Sequence, residues 1–265
     1  MKATVFLGAG RITSALVAGL RLAKYDQPIL VHDRHFNKLQ QLKKQHRVVV
    51  ETDLLRAVKS AHLLIIAVRP VSVRELLKQI RAVTSRRPLM VVSLAAGVPL
   101  SALQAALPSP VRWARAMPSP VCRSGQGLTG LAFGRGVSAA NRTQVRALFS
   151  LMGTVIEIPE KHFDAFTVTY SSSHGYHALS ALVAAGEALG LDRKTAHLAA
   201  AHALADGVAA WRTGKLPLKK LLEEAATPGG IAAAVMESLD RAAYQKIIAQ
   251  GLLAGLKQAR KNATL

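Results

Sequence analysis

The sequence predicts an α/β domain on a mostly parallel sheet, residues 1–158, followed by an all-α domain, residues 159–265. Short apolar runs alternate with amphipathic stretches through the first half, which is the pattern of repeated strand-helix-strand units. After Ile158-Pro159-Glu160-Lys161 the strand signals stop and helical patterns alone remain. With 265 residues and 50% hydrophobic content, the chain can bury one large core or two modest ones.

Taken in order, strands are expected near 3–7, 28–33, 47–51, 62–68 and 89–94. Runs such as Leu63-Leu64-Ile65-Ile66 are continuously apolar, as suits strands covered on both faces. Helices are expected between and after them, near 11–24, 36–45, 53–59, 71–83 and 99–106. Further strand signals near 111–116, 128–133 and 154–158 flank a helix near 138–151, giving a sheet of about eight strands if all join it. The second half predicts helices near 162–189, 192–212, 217–226, 229–239 and 240–261. Several of these have little polar material, as in Ala196-His197-Leu198-Ala199-Ala200-Ala201-His202-Ala203; such faces need close packing or a partner subunit. A homodimer through the C-terminal helices is therefore expected.

Composition narrows the function. One cysteine, Cys122, excludes an internal disulfide, and no His/Cys cluster has metal-ligand spacing, so no metal site is expected. No apolar run is long enough to span a bilayer, and a soluble cytoplasmic protein is expected. The net charge of +20 would fit an anionic partner, but the basic residues are scattered and aromatics are 5% of the chain, without interleaving as stacking platforms. The charge is taken as a basic surface rather than a nucleic-acid site.

The most informative stretch is Val5-Phe6-Leu7-Gly8-Ala9-Gly10-Arg11-Ile12-Thr13. It predicts a buried strand, a glycine turn and a helix start. Gly8 permits the tight turn, Gly10 lets backbone approach a pyrophosphate, and the helix N-terminus offers N–H groups to that anion. Gly8, Ala9, Gly10, Arg11, Ile12 and Thr13 are thus candidate cofactor contacts, with Thr13 standing where a third glycine or alanine is usual. The first domain is accordingly expected to be of Rossmann type. At the end of the second strand, Asp33 favours an unphosphorylated ribose and Arg34 a 2′-phosphate, and surrounding His32, His35 and Lys38 tilt the expectation to NADP, with NAD possible.

Segments in order resemble the pyrroline-5-carboxylate reductase family across essentially the whole chain. They are the glycine turn running into Ala15-Leu16-Val17-Ala18-Gly19-Leu20, Ala67-Val68-Arg69-Pro70, Val91-Val92-Ser93-Leu94-Ala95-Ala96-Gly97-Val98, Arg115-Ala116-Met117-Pro118 and Thr227-Pro228-Gly229-Gly230. The resemblance implies that Ala67, Val68, Arg69, Pro70, Ala95, Met117 and Pro118 border the cofactor. It also implies NAD(P)H-dependent reduction of an imine carboxylate to proline or a close relative, with Ser172, Ser173, Tyr176, Thr227, Gly229, Gly230 and Ile231 at the substrate. Departures lie in that second set. The family's S-G-S-G-P-A-Y becomes Tyr170-Ser171-Ser172-Ser173-His174-Gly175-Tyr176, its N-T-P becomes Ser119-Pro120-Val121, and a threonine after P-G-G becomes Ala232.

A protonated pyrroline imine is already electrophilic and needs mainly positioning. Backbone N–H groups at Gly229, Gly230 and Ile231, with Thr227 as N-cap, would hold its carboxylate at a helix start. Ser172 and His174 are the candidate catalytic residues. His174 can donate a proton, clamp a carboxylate or line the pocket, and His177 lies one turn further on; His197 and His202 fit a core or interface better. Two other readings stay open: a ketone or hydroxyacid oxidoreductase with His174 as acid, and a non-catalytic dinucleotide-binding protein.

Overall fold

The structure is a computed structural model that describes residues 2–85 and 87–263. It divides into two compact units. The second is Tyr170–Leu253, and the first takes the chain before it together with the chain from Ala254 onward.

Among the described residues of the first unit, β1 (Ala3–Leu7), β2 (Ile29–His32), β3 (Val49–Val50), β4 (Ala61–Ile66), β5 (Leu89–Ser93), β6 (Val111–Pro118), β7 (Gly127–Phe133) and β8 (Gly153–Glu157) form one sheet. Its order is β3-β2-β1-β4-β5-β6-β7-β8. Every neighbouring pair is parallel except β6 with β7. The intervening helices are α1 (Arg11–Leu22), α2 (Phe36–His46), α3 (Leu54–Ser60), α4 (Pro70–Thr84), α5 (Leu100–Ala106) and α6 (Ala139–Ser150), and α7 (Glu160–Thr169) follows β8.

The apolar strand runs are explained by two cores. Val5, Leu7, Leu64, Ile66 and Val91 pack on one face with residues of α3, α4 and α5. Phe6, Leu63, Ile65, Met90 and Val92 pack on the other with α1, α2 and α6. Successive side chains point to opposite faces, so a strand covered twice favours apolar residues at every position. Each fully buried Leu, Ile or Phe contributes about 1.5–3 kcal/mol, which makes the central strands the most costly part to disturb.

Thr4, Ser93 and Thr129 are buried polar residues on these strands, and Arg115 on β6 is a buried charged one. Its side chain is 2% exposed, donating to Glu160 Oε1 at 3.0 Å and to Asp164 Oδ1 at 2.6 Å, both on α7. The guanidinium also lies 4.4 Å from the centre of the Phe163 ring. One cation thus meets two carboxylates one helical turn apart and the ring between them, which fastens α7 to the sheet.

In the second unit, α8 (Ser172–Ala188) packs on α9 (Arg193–Thr213) through Val183, Ala196 and Ala200. Neither α10 (Leu218–Ala225) nor α11 (Ile231–Arg241) buries a residue, and Trp211, Leu218, Leu222, Val235 and Leu239 are exposed. The last helix, α12 (Tyr244–Asn262), starts in this unit and ends in the first.

Two differences from expectation have physical causes. The helix expected over 162–189 is two helices, because the Ser171 hydroxyl accepts from the Ser173 N–H and starts α8 afresh. By compactness the first unit runs on through Thr169, past the 158/159 boundary, because Arg115 and the Phe163 ring hold α7 to the sheet. The Arg115 cluster should be measurable directly: Arg115→Met strands two carboxylates and is expected to lower unfolding free energy by about 3 kcal/mol in urea titration. A loss below about 1 kcal/mol would mean that the ion cluster does not hold α7.

Candidate functional site at the edge of the parallel strands

The carboxyl ends of β1, β2, β4, β5 and β6 carry the whole cofactor set expected from the sequence. Gly8 follows β1 with φ of 112°. A Cβ there would lie 2.6 Å from the Ala67 carbonyl oxygen, so a side chain is excluded by both conformation and space. The Gly8 N–H donates to His32 O at 2.7 Å, and Ala67 N–H donates to Leu7 O at 2.8 Å, extending the ladder on both sides of β1 past the strands. This is the point where the strand order reverses, the place where open α/β sheets bind ligands.

Thr13 has a role inside this turn. It is fully buried, and its hydroxyl donates to Gly8 O at 2.6 Å. A threonine in place of the third glycine therefore seals the turn by satisfying a buried carbonyl. Ala9 is also committed: its N–H donates to Asp33 Oδ2 at 2.7 Å. Gly10 differs from Gly8. Its φ is −82° and a Cβ would meet nothing within 4 Å. Nothing in the protein requires glycine at this position, and a side chain would fill only the open space in front of the α1 N-terminus. That N-terminus has no side-chain cap and no acidic residue in its first turn, leaving the Arg11 and Ile12 end of the helix suited to an anion.

Asp33 bridges two turns. Besides Ala9, it accepts from the His35 N–H at 2.8 Å, and its Oδ1 lies 2.8 Å from His35 Nδ1. Burial would raise the Asp33 pKa, but the hydrogen bonds from Ala9 and His35 outweigh it and hold the carboxyl below the usual carboxylate range. Asp33 is therefore an anion spent on holding the glycine turn against the start of α2. Arg34 beside it is exposed. His32 is fixed by Nδ1 lying 2.9 Å from Glu51 O. Pro70 opens α4 directly after Ala67, Val68 and Arg69, and neither α2 nor α4 has an acidic residue in its first turn. Ala95 is 3% exposed just beyond β5, Met117 is half-buried and Pro118 buried at the end of β6. The donors and cations along this edge fit a dinucleotide bearing phosphates.

The residues expected at the substrate lie in the second unit, at two helix starts. Ser172 and Ser173 open α8, with His174, Tyr176 and His177 in its first two turns, all exposed. Thr227, Gly229, Gly230 and Ile231 lie at the start of α11. Thr227 is not its N-cap. Gly230 is, and its N–H donates to Thr227 O at 2.8 Å, so the turn 227–230 is closed by backbone and the helix begins at Ile231. Without a side-chain cap or an acidic first turn, α11 presents its first N–H groups to solvent. His197 and His202, expected in core or interface, are exposed on α9 and so lie outside the core of the single chain.

Sequence reasoning missed Asn262, whose Nδ2 donates to Ala96 O at 3.2 Å, and Glu160, which accepts the Leu100 N–H at 2.8 Å. Neither belongs to a motif; the partners are far off along the chain. No group of three or more His, Cys, Asp or Glu side chains able to hold a metal ion occurs among the described residues. Nor is any described helix long and apolar enough to cross a membrane.

Residues 160–262 match the model of pyrroline-5-carboxylate reductase dimerisation, and residues 4–97 that of NADP oxidoreductase, coenzyme F420-dependent. The pyrroline-5-carboxylate reductase of Corynebacterium melassecola is 32% identical, the match covering 91% of each chain. That of Mycobacterium leprae is 30% identical, over 94% of this chain and 92% of the relative. The chain belongs to the pyrroline-5-carboxylate reductase family. Solved family members share the fold: the Plasmodium falciparum pyrroline carboxylate reductase with NADP bound has a TM-score of 0.89 at 20% identity, covering 99% of this chain and 98% of its own. The Coxiella burnetii family structure has a TM-score of 0.88 at 23% identity, covering 100% and 99%.

Gly10 gives a clean test of the dinucleotide edge. Gly10→Val is expected to fold like the native chain and lose dinucleotide binding by calorimetric titration. A folded variant with unchanged affinity would remove the assignment.

Proposed function

We propose that this chain reduces 1-pyrroline-5-carboxylate to proline, or a closely related cyclic imine, with NADPH as the preferred electron donor, and that it works as a homodimer in the cytoplasm. The observation that carries this reading is the likeness to curated reductases through both units, 94% of the chain in the Mycobacterium leprae case. The exposed apolar residues of α9, α10 and α11 support the dimer, since a second copy would cover them.

A bound reduced nicotinamide would supply the hydride. What the chain itself supplies is placement. Gly10 and the α1 N-terminus take the pyrophosphate, while Ala67, Val68, Arg69, Pro70, Ala95, Met117 and Pro118 border the rest of the dinucleotide. Arg34 is the residue for a 2′-phosphate, because Asp33 has turned its carboxylate to Ala9 and His35. The substrate carboxylate is held by the first N–H groups of α11, with Gly229, Gly230 and Ile231 carrying by backbone what Ala232 has no hydroxyl to do. Ser172, Ser173 and Tyr176 line the same site. A protonated cyclic imine needs no general acid, so His174 serves to position the substrate.

Arg34→Ala is expected to weaken NADPH by about 10-fold or more, the size of a lost charge-assisted pair, with NADH little changed. Equal weakening, or a native preference for NADH, would put Asp33 in control instead. Turnover followed by nicotinamide absorbance on pyrroline-5-carboxylate, piperideine carboxylate and small 2-keto acids tests the reaction. The cyclic imines should turn over and the keto acids should not. In His174→Ala, kcat on the imine should fall less than about 10-fold, whereas a general acid would cost about 10²-fold or more.

A further inference from the structure

The loop from Leu94 to Pro99, between β5 and α5, is bound to the sheet edge at its start, where the Leu94 N–H donates to Ile66 O at 2.9 Å. Three later contacts hold it from outside the sheet. The Asn262 amide donates to Ala96 O at 3.2 Å. Gly97, with φ of 79°, lies so close to the end of α12 that a Cβ would stand 2.5 Å from Ala259 O and 2.9 Å from Asn262 Cβ. At the far end, Leu100 N–H is taken by Glu160 Oε1, the oxygen that also accepts from Arg115. Ala259, 6% exposed, is the buried residue of α12, so the helix is seated where it meets this loop.

We propose that Asn262 is a positioning residue for the cofactor: the last turns of α12 set the backbone of Ala95, Ala96 and Gly97, and through it the wall that Ala95 gives to the dinucleotide. The Ala96 carbonyl lies at a half-buried position, and Asn262 gives it a donor that the sheet does not. The glycine at 97 has two reasons to be glycine, its positive φ and the backbone of α12 pressed against it. Carbonyl anchoring at 96 and steric seating at 97 leave the loop one position instead of several, which lowers the ordering cost of binding. The proposal rests on the reading of Ala95 as a cofactor contact.

The test uses the full chain. Asn262→Asp keeps the size and removes the donor, whereas Asn262→Gln keeps an amide. With melting temperature near native, Asn262→Asp is expected to raise the NADPH dissociation constant about fivefold, the size of one ordered hydrogen bond. KM for the imine should stay within about twofold, and Asn262→Gln should recover most of the affinity. Native NADPH affinity in a folded Asn262→Asp variant would overturn the proposal, and so would equal weakening by the two substitutions. These outcomes leave the cofactor reading standing if native protein binds NADPH and Gly10→Val does not. A native chain that binds neither NADPH nor NADH overturns both.

Discussion

The contact between Gly8 and the Ala67 carbonyl is the constraint on which the rest of the site depends. With φ of 112° and no room for a Cβ, which would stand 2.6 Å from the Ala67 carbonyl oxygen, the backbone of β1 turns immediately after Leu7 and against the end of β4. That turn aims α1 so that its N-terminus faces the open edge where the strand order reverses. Thr13 closes the turn from within and Asp33 ties it to α2, so hydrogen bonds inside the protein hold the start of α1 in place. Preorganised N–H groups in this arrangement need little rearrangement to receive a phosphate.

Electrostatics divides the labour of the charged residues. Arg115 and Asp33 are spent on structure: the first is surrounded by two carboxylates and a ring, the second by backbone donors. Arg34 and Arg69 remain exposed along the edge, beside helix starts that carry no acidic residue in α1, α2 or α4. Part of the +20 charge is thereby placed where a phosphate-bearing ligand would meet it.

The second unit obeys a different rule. Its helices bury little within one chain, and small residues such as Ala196 and Ala200 make the α8–α9 contact while larger apolar ones face outward. Such a surface stays exposed only at a cost, which a second copy would remove. The first turn of α11 has no side-chain cap, whereas α8 starts under the Ser171 cap, and Gly230 rather than Thr227 begins α11.

Strands, most helices and the glycine turn were legible because they are local: an apolar period, a glycine pair and a proline at Pro70 act within a few residues. The fold class followed from those local patterns, and the family resemblance from five short segments in the same order. What only the tertiary structure decided are pairings between distant residues. Thr13 as the seal of Gly8, Asp33 turned inward to Ala9, α7 bound by Arg115 and the Ala96 carbonyl met by Asn262 each depend on which donor reaches which acceptor after folding. The last spans 166 positions. A sequence shows that a donor exists, but the satisfaction of a buried carbonyl is settled by geometry that no local pattern encodes.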